Sequence, residues 1–455
     1  MEEISLKTIA EVVGAKCDTD IPIRSICTDT RKIEKGCLFI ALEGERFDAH
    51  DFAAQAAQQG AAALICHKKV TCSAPVLYVE DTRTAYLDIA GYYRSLFSIP
   101  LVGITGSVGK TTTKEFIALA LSAKYKTLKT EGNFNNDVGM PATLLRLDSS
   151  YEAAVIEMGM NHFGEIRNLV LRSRPTIGVI TNIGVSHIEN LGSRDGILKA
   201  KLELLDGLQE NAPLLLNGDN DKLAQVKLTD RPLYFFGIEN PDAHFRAEAL
   251  TSDIESTDFE IVYSGGRQAV HIPAVGNHNV LNALCAFAVA VLCGIDGAQA
   301  AQKLAEYTPA GRRQKIVKCD GFTVIEDCYN ASPDSMRAAI KTLANLNAGK
   351  KIAVLADMLE LGTYAQSLHE EVGTFCAQQK LDAVLAFGEQ ARFYCQKAKE
   401  GGVPQTAFFE DKQALADAVT ACAQENCAIL FKGSHGMHLE ETINTLYERK
   451  GIKNE

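Results

Sequence analysis

The sequence has no tryptophan, and aromatic residues make up only 7% of it. Broad aromatic platforms for stacking sugars or bases are therefore not expected. Positive charge is also in deficit: 46 Lys and Arg stand against 57 Asp and Glu, a net charge of −11 over 455 residues. A general nucleic-acid binder needs a basic footprint to neutralise phosphates, so that class is excluded, whereas a local basic pocket for a small phosphorylated ligand is not. No apolar run approaches the roughly 20 residues of a membrane span. The amino terminus is acidic at its start and lacks the apolar stretch of a secretory signal, so neither export nor membrane insertion is expected. Low-complexity tracts and fixed-period repeats are missing too. Thirteen cysteines are present, yet none is spaced Cys-x-x-Cys; the closest approaches are Cys66 with Cys72 and Cys422 with Cys427. No histidine cluster completes a zinc site. Cys285, Cys293 and Cys427 sit in apolar runs, where a thiol packs as a small hydrophobe, and the set reads as reduced cysteines of a cytosol.

What is present is an ordinary globular composition, 46% hydrophobic and 23% charged, long enough for two to four domains. Three regions separate by pattern. Residues 1–80 carry short β-like pieces (37–42, 62–66, 76–79) around a helical stretch at 51–59, a small α/β unit. Residues 81–310 open with a helix over 81–97 and continue with apolar strands at 99–105, 153–158, 176–183 and 213–217, alternating with helices. That alternation implies a parallel sheet covered on both faces. Between 232 and 274 the rhythm changes to alternating pieces such as 259–264, read as a small β insertion, before a helix at 277–292. Residues 311–455 repeat the alternation, with strands at 323–327, 352–355, 383–387 and 428–431, and form a second doubly wound, Rossmann-like domain. The fold class is α/β in three domains.

The strongest local signal is Thr105-Gly106-Ser107-Val108-Gly109-Lys110-Thr111-Thr112-Thr113. A strand ends, glycines let the backbone fold around an anion, and a helix begins whose free N–H groups point at phosphates. Lys110 would reach the β- and γ-phosphates and the Thr111 hydroxyl would bind Mg²⁺. The strict pattern places Gly six positions before the Lys; here that position is Ile104, so this is a variant of the phosphate loop. ATP is the expected nucleotide. The loop alone does not separate a kinase, a hydrolase and a ligase.

Strand 153–158 delivers Glu157 to its carboxyl end, where ligands of open α/β sheets bind, placing a carboxylate for a metal beside the phosphates. His187 falls just past the end of strand 176–183, opposite Glu157. Lys201 lies in the following helix, and by periodicity alone it is a solvated or snorkelling lysine.

Thr105 to Thr113, Glu157, His187 and Ala200-Lys201 stand in the order found in the ATP-dependent Mur ligases of peptidoglycan synthesis, and the chain resembles that family across essentially its whole length. Gly276-Asn277-His278-Asn279-Val280-Leu281-Asn282-Ala283, Gly311-Arg312 and Asp327-Cys328-Tyr329-Asn330 continue the order. Other segments resemble the member that adds a dipeptide: Asn133-Phe134-Asn135-Asn136-Asp137-Val138-Gly139-Met140-Pro141, Met158-Gly159-Met160-Asn161-His162-Phe163-Gly164-Glu165-Ile166, His187-Ile188-Glu189-Asn190-Leu191-Gly192-Ser193, Asp357-Met358-Leu359-Glu360-Leu361-Gly362 and Lys432-Gly433-Ser434.

The resemblance implies a reaction. ATP phosphorylates the terminal carboxylate of a UDP-N-acetylmuramoyl-tripeptide, and the amine of D-alanyl-D-alanine displaces phosphate from the acyl phosphate. It also implies roles: Lys110, Lys201, His187 and Arg312 are the catalytic set, with Arg312 on the γ-phosphate. Thr105 to Thr112, Asn279, Asn282, Asp327 and Asn330 would hold ATP, the two asparagines of helix 277–292 on the adenine side. Thr111, Glu157, His187 and Lys201 would hold two Mg²⁺ ions, Lys201 as the carbamate it forms with CO₂. Thr28, Asp29, Thr30 and Arg31, with Asp48 and His50, resemble the UDP-sugar segment, and Asp357, Lys432 and Ser434 fall on the dipeptide side. A monomer in a bacterial cytoplasm is implied, with the first region binding the UDP-substrate, the second ATP and the third the dipeptide. The chain departs from the family pattern at Ala49 (commonly Gly), Ala356 (usually Gly) and His435 (commonly Arg). A folylpolyglutamate-synthetase-like ligase shares the phosphate loop but lacks a separate first domain of this kind. A nucleotide-gated scaffold that has lost catalysis would not be expected to keep Lys110, Glu157, His187 and Lys201 together.

Overall fold

The computed structural model describes residues 1–44, 47–253, 255–309 and 311–452; residue 310, where the sequence ends the central region, lies outside the described residues. Among these, a small sheet comes first. Its strands Ile26–Cys27, Leu38–Ile40, Ala63–Cys66 and Val76–Tyr78 pair in that order, all parallel. The helix Thr82–Ser95 follows. Asp81 starts it by accepting from the N–H groups of Arg83 and Thr84, which satisfies two of the free donors of its first turn. Its inner face, including Tyr86, Ile89, Ala90 and Tyr93, is buried.

The central sheet runs Thr127–Lys129, Ala153–Glu157, Leu101–Thr105, Ile177–Ile180, Leu214–Asn217, Leu233–Gly237, Phe245–Ser252, Thr257–Tyr263, Gly266–Ile272. The first seven strands are parallel and the last two antiparallel. The alternating segment read as an insertion is thus hydrogen-bonded onto the same sheet as its edge. Leu101–Thr105 lies between Ala153–Glu157 and Ile177–Ile180, so three carboxyl ends meet where the strand order reverses, the position at which open α/β sheets bind ligands. Helices Lys110–Leu121 and Asn277–Leu292 pack together on one face, the latter buried along nearly its whole length.

The third sheet runs Lys315–Lys318, Phe322–Asp327, Cys427–Lys432, Lys350–Ala356, Ala383–Phe387, Gln405–Phe409, parallel except for the first, antiparallel edge strand. The two edge strands were not foreseen in the sequence, because both are half-exposed and lack an apolar run. All thirteen cysteines are free thiols, seven of them buried. Burial pushes the Cys66 thiol up to about 12 and the Cys328 thiol to about 11, so neither is a thiolate at neutral pH.

The cores differ in reach. One apolar cluster runs from Ile4, Leu6 and Ile23 through Tyr93 to Leu101, Ile156 and Leu214, so the first region shares its interior with the central sheet. The two faces of the third sheet have clusters of their own. Tyr93 marks the shared interior: its buried hydroxyl donates to the Leu147 carbonyl (2.5 Å) and accepts from the Glu2 N–H (2.6 Å). Tyr93→Phe leaves that carbonyl and N–H without their partner, and is expected to lower stability by about 1–3 kcal/mol, read from urea unfolding followed by tyrosine-independent far-UV circular dichroism.

Candidate functional site

The phosphate loop is built by its neighbours as much as by its own residues. Asn182, in the loop after Ile177–Ile180, accepts from the Val108 N–H through its side chain (2.8 Å) and from the Ser107 N–H through its carbonyl (3.1 Å). Thr181 Oγ1 donates to the Val108 carbonyl (2.6 Å), and Ser107 Oγ accepts from the Gly184 N–H (3.0 Å). A Cβ at position 106 would stand 1.9 Å from Thr181 Oγ1, which is why only glycine fits there. Gly109, at φ +85°, turns the chain into helix Lys110–Leu121. The Lys110 ammonium donates to the Gly106 carbonyl (2.8 Å), folded over the loop it serves. Burial lowers its pKa, and Glu157 opposes that shift. Thr105 is fully buried beneath the loop rather than facing the cleft.

Glu157 is buried and held on every side. Its Oε2 accepts from Thr111 Oγ1 (2.9 Å), its Oε1 from Asn135 Nδ2 (2.9 Å), and its N–H donates to Thr130 Oγ1 (3.0 Å). The Lys114 ammonium, completely buried one turn beyond Lys110, lies 3.8 Å from the same carboxylate and 3.3 Å from Glu115. Asn135 and Lys114 were missed as site residues. The Lys-x-x-x-Lys spacing was the available signal for the second lysine, since residues four apart share a helix face.

Lys201 overturns the periodicity reading. Only 2% of it is exposed, and among the described residues its side chain makes no hydrogen bond or ion pair. Burial lowers its pKa well below the ordinary lysine value, and the charge of Lys110 pushes it the same way. Both effects favour the uncharged amine over the ammonium. His187 adopts φ +62°, at the start of the short helix Ile188–Leu191. Its ring lines the cleft, while Nδ1 lies 2.7 Å from the Glu360 carboxylate of the third body, off the line of a hydrogen bond.

A cleft of about 920 Å³ opens between the central and third bodies. The phosphate loop from Ser107 to Thr113, Glu157, His187, Asn279 and Asn282 line one side; Asp327, Asn330 and Lys432 line the other. Asn282 Oδ1 accepts from Thr113 Oγ1 (2.8 Å) and Asn279 Nδ2 donates to Gln314 Oε1 (3.2 Å). Lys432 Nζ donates to Asp327 Oδ2 (2.7 Å) and to the Asn330 carbonyl (3.2 Å), so a residue expected on the dipeptide side and two expected on ATP form one linked group, Lys432 and Asp327 buried and Asn330 exposed. Arg312 is not brought to the cleft. Its guanidinium turns into the third body, donating to Asn444 Oδ1 (2.9 Å) and lying 3.4 Å from Glu326. Its neighbour Arg313 lines the cleft instead, stacked 3.9 Å over the Tyr329 ring. Asp357 and Ser434 also stand back from it: Asp357 accepts from the Ala391 N–H (2.7 Å) and Ser434 Oγ from the Leu359 N–H (3.0 Å), shaping the loop between them.

The UDP-sugar candidates form a separate group at the carboxyl ends of the small sheet. Asp29 accepts from Arg31 through both carboxylate oxygens, within the Thr28 to Arg31 turn. Asp48 accepts from Lys68 Nζ (2.6 Å) and sits 2.6 Å from His50 Nδ1, while His50 Nε2 accepts from the His67 N–H (3.1 Å). Lys68 is the main cause holding the Asp48 carboxyl below the carboxylate range. His67 and Lys68 were missed; they follow a strand end, the same signal that picked out Glu157. Arg83 ties this group to the cleft loop, reaching Asp137 (2.8 Å) and the Glu43 carbonyl (3.0 Å).

Among the described residues no three or more His, Cys, Asp and Glu side chains gather as a metal cage. The donors present, one carboxylate and one hydroxyl beside a phosphate loop, fit Mg²⁺, which takes few protein ligands and fills its shell with phosphate oxygens and water.

Three family models match consecutive stretches: Mur ligase family, catalytic domain (22–93), Mur ligase middle domain (104–290) and Mur ligase, glutamate ligase domain (311–435). The UDP-N-acetylmuramoyl-tripeptide–D-alanyl-D-alanine ligase of Bacillus subtilis is 39% identical over 98% of both chains. A crystal structure of MurF from Acinetobacter baumannii superposes with a TM-score of 0.91 at 31% identity, covering 98% of this chain and 99% of that one. The MurF ligase from Thermotoga maritima in complex with ADP superposes with a TM-score of 0.86 at 27% identity, covering 94% and 98%. The chain belongs to the Mur ligase family.

Proposed function

We propose that the chain joins D-alanyl-D-alanine to UDP-N-acetylmuramoyl-tripeptide at the expense of ATP, giving the pentapeptide precursor of peptidoglycan, ADP and phosphate. The observation that carries this reading is the cleft: a phosphate loop, Glu157 and His187 face Asp327, Asn330 and Lys432 in a chain that aligns end to end with ligases of that name. The chain is read as a monomer of the bacterial cytoplasm, with residues 1–80 taking the UDP-sugar, 81–310 ATP and 311–455 the dipeptide. Among the described residues no helix is long and apolar enough to cross a membrane.

A carboxylate is a poor electrophile at neutral pH, and phosphorylation supplies the leaving group it lacks. A terminal carboxylate oxygen of the tripeptide attacks the γ-phosphorus and ADP leaves. The dipeptide amine, having lost its ammonium proton, then attacks the acyl carbon, and the tetrahedral intermediate collapses with loss of phosphate. No covalent bond to the protein is needed, so the side chains position and neutralise. The loop N–H groups and Lys110 hold the β- and γ-phosphates, Asn279 and Asn282 lie on the adenine side, and Asp327 and Asn330 meet the nucleotide from the third body. Thr111 and Glu157 would hold one Mg²⁺, and His187 with Lys201 a second, the ions supplying charge neutralisation at the transferring phosphoryl group. Lys201 suits that role because burial and the Lys110 charge favour its uncharged amine, the form that would add to CO₂, releasing a proton and leaving a carbamate anion. Arg312 would reach the γ-phosphate only after its side chain leaves Glu326 and Asn444 within its own body.

Phosphate release from ATP is expected to require both UDP-N-acetylmuramoyl-tripeptide and D-alanyl-D-alanine, followed with a coupled phosphate assay; ATP binding without turnover under either combination would refute the ligase reading. Lys201→Ala is expected to be inactive with or without added bicarbonate. Lys201→Met is expected to raise the melting temperature at pH 7 in CO₂-depleted buffer. The unfolded chain protonates Lys201 below about pH 10.4, but the folded chain does so only at lower pH. Folding therefore costs a proton between the two values, and the gain of Lys201→Met should shrink as pH rises towards the upper one.

A further inference from the structure

The contact between His187 and Glu360 joins two bodies that otherwise keep separate cores, and both residues hold a left-handed backbone, φ +62° in each case. Two non-glycine residues in that region, meeting side chain to side chain, mark a contact that the surrounding structure enforces. The loop carrying Glu360 is pinned on both sides. The Met358 N–H donates to His369 Nε2 (3.1 Å), the Leu359 N–H to Ser434 Oγ (3.0 Å), and Met358 and Leu361 are buried. Gly362 packs so closely on helix Ile188–Leu191 that a Cβ there would lie 3.0 Å from Glu189 Cγ. Glu360 is thus aimed at His187 by fixed backbone, although 58% of its own side chain is exposed.

The His187 ring divides into two edges. Nδ1 is buried against Glu360, whereas the ring keeps 20% exposure and lines the cleft. A histidine that binds a cation through one nitrogen almost always gives its other N–H to a carboxylate or carbonyl, which fixes the tautomer and the ring plane. We propose that Glu360 is the positioning residue for His187: it accepts from Nδ1–H and leaves Nε2 free for a divalent cation in the cleft. This rests on the reading of His187 as a metal ligand. Because the 2.7 Å contact is off the hydrogen-bond line, a small shift of the third body aligns it. Cation affinity in the central body and the placement of the third body are then coupled, and the coupling acts equally in both directions.

The test is Mn²⁺ binding to the full chain with a non-hydrolysable ATP analogue and bicarbonate, read from the free-ion paramagnetic resonance signal. Wild type should show two sites. His187→Ala should abolish one. Glu360→Ala should weaken that same site about 10- to 100-fold while leaving the other site, the analogue affinity and the melting temperature unchanged. Glu360→Gln, whose amide oxygen still accepts from Nδ1–H, should keep most of the affinity. Two intact sites in His187→Ala would overturn the ligand reading and the proposal with it. Loss of a site in His187→Ala with undiminished affinity in Glu360→Ala would overturn the role of Glu360 alone.

Discussion

Three lysines are buried at or behind the phosphate loop, and much of the site follows from how their charge is held. Lys110 and Lys114 both act on Glu157, and Lys201 lies close enough to Lys110 for their charges to oppose each other, in a region largely removed from water. Three ammonium groups so placed would repel each other strongly where the dielectric is low. The structure relieves this by lowering the pKa of Lys201 and by setting Lys114 beside both Glu115 and Glu157. A chain with an acidic surplus thereby still presents Lys110, Arg313, Lys315 and Lys432 to the cleft, the local positive charge that nucleotide phosphates and an acyl phosphate require. If Lys201 becomes a carbamate, the same position changes from a repelled amine to an anion attracted by Lys110.

The two walls of the cleft have different mechanical backing. The phosphate-loop wall stands on the sheet whose interior continues into the first region, and Arg83 links the UDP-side cluster to the loop around Asp137. The opposite wall belongs to a body with its own two-faced core, joined to the first by surface contacts such as His187–Glu360 and the Asn279–Gln314 hydrogen bond. Motion between the walls therefore costs little buried apolar area, whereas motion within either wall would open a core. Arg312, paired with Glu326 and Asn444 of its own body, is carried with that wall.

The sequence made the fold and the nucleotide half of the site legible for a physical reason: a parallel sheet buried on both faces writes each strand as an apolar run, and the ligand side is always the carboxyl end. Glu157 and His187 were found by that rule. Lys201 was misread by periodicity because its helix, Arg194–Leu202, carries it on the face that holds buried Ile197 and Ala200, and a polar residue on a buried face looks the same in one dimension as an exposed one. Arg312 and Arg313 are adjacent and chemically identical, so only the backbone at Gly311 and Gln314, both at positive φ, settles which enters the cleft. The edge strands Lys315–Lys318 and Gln405–Phe409 escaped because half-exposed strands carry no such run.

The helix Asn277–Leu292 has a consequence for how the chain is made. It fills the face of the central sheet that the strand Leu101–Thr105 and the helix Lys110–Leu121 also build. During synthesis those early segments emerge from the ribosome long before the helix that covers them, so the half-built sheet must wait with an apolar face exposed. Such delayed, long-range closure is slow and favours aggregation of the nascent chain. The third body, whose cores draw only on residues from Val317 onward, has no such wait. Synthesis of the central region is therefore the stage at which the growing chain leaves the most apolar surface open to aggregation.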